Sequence, residues 1–212
     1  MKGIAFKRLF WGKTFPLVSL SGGALLIISS DRLAHAIVVL LALVWSYSLV
    51  TLALFGAVRF FPAKGRTVLL AFLTSFVSGL FFLLLWMISP FSALQTFFII
   101  PLIPMLCVSS EIFINFQTRS LKQSLQGSVI EALMYGLLPV IFALIREPIG
   151  FSSLSLPGGM QGIILMFSFD NQSLFPVRLI ASSSGALLLL GYITGLYRHY
   201  KNIHSPEETA DG

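Results

Sequence analysis

The run TVLLAFLTSFVSGLFFLLLWMISPFSALQTFFIIPLIPMLCVSS, residues 67–110, decides the fold. It holds no Asp, Glu, Lys or Arg, and it is roughly twice as long as the ~20 apolar residues that one membrane crossing needs. The uncharged surroundings of Pro90 divide it into two stretches, and Pro101 and Pro104 interrupt the second. The whole chain follows suit. Of its 212 residues 56% are hydrophobic and 10% charged, against about 25% charged in an ordinary soluble domain. Mean hydropathy is +0.91. One compact domain of this size cannot hide that much apolar surface from water, so the composition excludes a soluble globular fold and makes the lipid bilayer the expected partner.

Working outward, six apolar segments are expected: 15–29, 33–58, 67–89, 93–114, 125–145 and 175–197. The first is short and broken by Ser21-Gly22-Gly23; the fourth is broken by its prolines. Residues 1–14 form a basic lead-in whose Lys2, Lys7, Arg8 and Lys13 suit headgroups while Phe6, Phe10 and Trp11 dip into the boundary. Residues 205–212 read as a polar tail. Cations cluster before segment one (the same four), between two and three (Arg59, Lys64, Arg66), between four and five (Arg119, Lys122) and after six (Arg198, Lys201). The positive-inside rule then places both termini in the cytoplasm, with Arg146 dissenting. The net charge of +6 therefore reads as lipid orientation, not nucleic-acid binding.

The expected fold class is all-α, six transmembrane helices in two inverted three-helix repeats, the first and fourth helices short or broken. Paired interrupted helices in such halves point to a functional centre at mid-membrane; glycine and proline are also common in membrane helices without any such role.

Three patches carry a family resemblance. Pro101-Leu102-Ile103-Pro104-Met105-Leu106-Cys107 is followed by Ser110-Glu111-Ile112-Phe113. Ile145-Arg146-Glu147-Pro148-Ile149-Gly150 follows segment five. Phe175-Pro176-Val177 leads to Gly185-Ala186-Leu187-Leu188-Leu189-Leu190-Gly191 in segment six. In this order they resemble the E/D-type membrane subunits of the Rnf/Nqr family. The resemblance implies a subunit of an ion-translocating electron-transport complex of the bacterial inner membrane, moving Na⁺ or H⁺. It also implies a partner: a homologous six-helix subunit of opposite orientation. Each such subunit gives one cysteine from its first and one from its fourth helix to a shared [2Fe-2S] cluster, and four thiolates are the usual set for such a cluster. This chain departs from that pattern. The first-helix cysteine is expected near Ser21 or Gly22, and neither is a cysteine.

Cys107 is thus a cluster ligand or a small apolar residue packed between helices. Ser21 is a weak second donor. Glu131, inside segment five, is an ion-pathway carboxylate or a shallow, solvated residue paired with Lys122 or Arg119, since a carboxylate at mid-helix costs about 2.5–3.5 kcal/mol on insertion scales. Glu111 lines the approach to the centre or marks a helix end. Arg146-Glu147 reads as a snorkelling cation with a neighbouring anion. Gly191 and Gly195 form a GxxxG, and Gly22 and Gly23 a small-residue break, both suited to helix packing. The stretch 151–159 is turn-rich, and 161–169 reads as a short re-entrant or interfacial piece. His35, His199 and His204 are scattered, and there is no P-loop and no dinucleotide fingerprint, so any catalysis of redox chemistry belongs to other subunits. Two other readings stay open: a stand-alone small-solute transporter, and a structural subunit that has lost its cluster.

Overall fold

The structure is a computed structural model, and it describes residues 29–57, 65–110, 113, 120–158, 160, 162–168 and 182–204. In chain order these form helix α1 (Leu33–Ala57), α2 (Arg66–Ile88), the short α3 (Pro90–Thr96), a 3₁₀ turn (Ile100–Leu102), the short α4 (Ile103–Ser109), the long α5 (Leu121–Phe151), strands β1 (Ser153–Pro157) and β2 (Ile163–Ser168), and α6 (Ser183–His204). Among the described residues three helices are long and apolar enough to cross a membrane: α1, α2 and α5. The pair Pro90–Thr96 and Ile100–Val108, bent by 50°, makes a fourth if taken as one broken span. Segment one falls outside the described residues. The described part of the sixth segment is helical and runs on to His204, and among the described residues this helix is not one of those apolar enough to span.

α1 and α5 form the central pair and run antiparallel. Leu33 N–H bonds Glu147 at one end and Thr51 bonds Ser128 further along. They meet most closely at Gly136, where a Cβ would collide with the Leu40 side chain and stand 3.0 Å from its Cα. α2 and α4 complete the core, with Val39, Leu43, Tyr47, Val50, Leu70, Val77, Ile103, Leu106 and Ala132 buried together. α2 buries only Leu70, Thr74, Val77 and Ser78, one helical stripe, and leaves Val68, Phe72, Phe76, Leu83 and Met87 exposed. So much exposed apolar surface on one element is what a helix facing lipid presents.

The breaks have local causes. Proline pushes the preceding residue out of the helical region, and Ser89 takes an extended backbone (φ −148°, ψ 86°) ahead of Pro90. Its hydroxyl then caps α3 by accepting from Ser92 N–H. Pro101 and Pro104 stand in the first turns of the 3₁₀ and α4 pieces, where a missing N–H costs little. α4 ends at Ser109, and Ser110 is extended. α5 begins earlier than expected, because Ser120 and Gln123 make a capping box. It also runs on through Pro148 to a left-handed C-cap at Ser152 (φ 51°). Its 31 residues span about 46 Å, more than a hydrocarbon core of about 30 Å.

The antiparallel hairpin β1–β2 corrects the all-α expectation. Ser153-Leu154-Ser155-Leu156 alternates with the period of two that a strand needs, inside the stretch read as turns. Gly162 supplies a positive φ of 81° and lies so close to Phe91 that no Cβ fits, and Ser92 Oγ donates to its carbonyl at 3.1 Å. The hairpin is thereby seated on the corner between α2 and α3.

Candidate functional site

Two polar regions lie along the α1–α5 seam. The first is a buried lane. Ser124, Ser128, Glu131 and Tyr135 recur on α5 at i, i+4, i+7 and i+11, which is one helix face, turned toward α1 and α4. Ser128 meets Thr51 of α1 at 2.7 Å, and Thr51 in turn donates to the Tyr47 carbonyl at 2.6 Å. Ser110 Oγ, just past the end of α4, donates to Glu131 Oε2 at 2.9 Å. The Tyr47 ring packs on Phe113 with centroids 5.5 Å apart. The Tyr47 hydroxyl and Ser124 Oγ are buried with no hydrogen-bond partner among the described residues. A buried hydroxyl without a partner is costly, and a water or an ion can supply the missing bond. The lane ends where Leu40 closes on Gly136.

Glu131 therefore stands about 15 Å into α5, deeper than its position near the end of the predicted segment implied. Cys107 lies one turn before Ser110, whose N–H bonds the Cys107 carbonyl at 3.2 Å. Its side chain is fully buried, in the core cluster that holds Tyr47, Val50, Ile103 and Phe113. The resemblance expects two thiols from this chain toward a shared [2Fe-2S] cluster. Cys107 is the one thiol the chain holds, and its side chain is enclosed by the described residues. Ser21, Gly22, Gly23 and Glu111 lie outside the described residues. Gly191 and Gly195 lie on α6, where a Cβ at either would meet no atom within 4 Å.

The second region caps the bundle where the start of α1, the end of α2 and the end of α5 converge. The sequence puts the connections at these three places on one common side, and they do gather at one end. Here Arg146 and Glu147 overturn the snorkelling expectation: both are 0% exposed. Arg146 donates to Ser30 Oγ and, at 2.8 Å, to the Ser182 carbonyl. Glu147 accepts from Leu33 N–H at 2.8 Å, giving a first-turn donor of α1 the acceptor it lacks within the helix. His35, which seemed isolated, is wired into the same end. Its Nδ1 donates to Asp31 Oδ1 at 2.9 Å and its Nε2 bonds the Gln95 amide at 2.6 Å. Arg32 lies 5.0 Å from the Phe151 ring centroid. Asp31, Arg32, His35, Gln95, Phe91 and Phe151 line a cavity of about 660 Å³ closed on its far side by β2.

No protein family, curated protein or solved structure matches the chain. The reading of its role accordingly rests on the two polar regions. The signal for the lane was present as a four-residue periodicity of Ser, Ser, Glu and Tyr. The signal for the capping region was not, because its partners stand 114 and 60 residues apart.

Proposed function

We propose that this chain is a membrane-embedded subunit of an ion-translocating electron-transport complex of the Rnf/Nqr type, and that it contributes a polar half-path for Na⁺ or H⁺ ending at Glu131. The observation that carries the reading is the stripe of buried Ser124, Ser128 and Glu131 with half-buried Tyr135, flanked by the bent helix pair and by Cys107. A carboxylate at this depth needs polar company, and Ser110 and the neighbouring hydroxyls supply it. The irregular backbone between α3 and α4 is the kind tolerated at membrane depth only against protein or a polar cavity.

The test is to isolate the tagged chain from native membranes and measure ion movement in reconstituted vesicles. Co-isolated flavin- and iron-containing subunits, with ion movement falling at least tenfold in Glu131→Gln while electron transfer continues, are expected. A chain that purifies alone and takes up a small solute in liposomes overturns this reading in favour of a stand-alone transporter. The enclosed thiol favours the third reading, a structural subunit without its cluster. Cys107→Ser that leaves both activity and iron content of the complex unchanged establishes that role for this position.

A further inference from the structure

Two charged side chains with no exposure at all need a reason. Arg146 and Glu147, adjacent on α5, fasten the two ends of one short segment: Arg146 holds Ser30, and Glu147 holds the Leu33 amide. Between those anchors stand only Asp31 and Arg32, and both line the cavity at the bundle end. The buried charges thus act as a rigid mount for a half-buried Asp-Arg dipeptide, which is the usual way a binding group is preorganised.

The atoms that this dipeptide leaves unused define the ligand. Asp31 spends Oδ1 twice, on the Arg32 amide at 2.7 Å and on His35, and its second oxygen is left to the cavity. Arg32 stacks over Phe151 and has no carboxylate within 4.0 Å among the described residues, so its planar set of donors is also left to the cavity. One anionic acceptor and one cationic donor fork therefore stand side by side. A purely anionic head meets Asp31, and a purely cationic one meets Arg32. Phe91 and Phe151 form aromatic walls that suit an ammonium, and Ile99, Ile163 and Leu165 offer an apolar flank.

We infer that this cavity binds a zwitterionic head group, with its ammonium on Asp31 and its phosphate or carboxylate on Arg32. The chemistry is shared by a zwitterionic lipid and by a free zwitterionic solute. The site is independent of the ion lane and of membership in any complex.

The experiment titrates the purified full chain in detergent with dihexanoyl phosphatidylethanolamine, dihexanoyl phosphatidylglycerol and O-phosphoethanolamine, read by calorimetry. The zwitterionic lipid is expected to bind at least tenfold more tightly than the anionic one. Arg32→Gln and Asp31→Asn are each expected to weaken it about tenfold, the loss of one charge-assisted contact. Arg32 makes no side-chain hydrogen bond among the described residues, so Arg32→Gln keeps the test decisive should Asp31→Asn fail to fold. Competition by O-phosphoethanolamine supports a free solute as the source; tight lipid binding without such competition supports a lipid. Equal binding of the two lipids, or unchanged binding in Arg32→Gln, overturns the inference.

Discussion

Replacing Arg146 by Met separates a structural anchor from a surface cation. Met fills a similar length of space, and an arginine that merely snorkels loses almost nothing by the change. In the structure it loses the hydrogen bonds of a fully buried guanidinium, among them those to Ser30 Oγ and to the Ser182 carbonyl. Two bonds to a charged group contribute about 1.5–3 kcal/mol each and a buried Met side chain returns about 1.5–3 kcal/mol, which leaves a net loss centred on about 2 kcal/mol within a span of about 0–4.5 kcal/mol. Arg146→Lys falls between, since a single ammonium cannot reproduce the fork that reaches two partners. Unfolding in mixed micelles of increasing SDS content, followed by the fluorescence of Trp45 and Trp86, reads the loss. Hydrogen exchange locates it, because the freed Ser30–Arg32 segment is expected to exchange faster while the α2 amides stay unchanged. An Arg146→Met chain that unfolds at the wild-type SDS fraction, with unaltered exchange across Ser30–Arg32, refutes the anchoring argument.

Gly136→Ala is expected to destabilise by about 1–3 kcal/mol in the same assay, as an added methyl overpacks the α1–α5 contact. Leu40→Ala should restore only part of the loss, because the Leu40 Cα itself lies 3.0 Å from the added atom; full restoration argues against backbone contact. Ser152→Gly should stabilise by about 1 kcal/mol, since glycine adopts the left-handed cap conformation without strain, and any fall in stability counts against that geometry. Glu131→Gln should keep the fold, because the amide oxygen still accepts from Ser110. A large stability loss there would mark Glu131 as a structural residue instead of a path residue.

Much of the framework was legible because hydrocarbon imposes sharp edges on a sequence. α1 and α2 begin and end within a residue of the apolar runs 33–58 and 67–89. The interruption of the fourth segment was written in Pro101 and Pro104. Its true start at Pro90 was not, because that depends on Ser89 serving as cap for one helix after ending another. α5 was drawn too short for an instructive reason. Arg146 and Glu147 look like the water-side end of a helix, and only partners from distant parts of the chain let them stay inside one. The hairpin was hidden by its own serines and glycines, which read as turns when alternation is not weighed. Of the polar regions, Glu131 stood out as a charge within an apolar run. His35 acquired meaning only through Gln95, a residue with no signal of its own.

The anchoring of α1 also sets an order of events during synthesis. The start of this helix leaves the ribosome more than a hundred residues ahead of the glutamate that caps it, the two being 114 positions apart. While α1 and α2 enter the bilayer, Leu33 and Ser30 have only water, headgroups or the insertion machinery to satisfy them. The register of the first helix against the membrane is therefore provisional until α5 arrives, and a nascent chain halted before Arg146 leaves that end of the bundle unlocked.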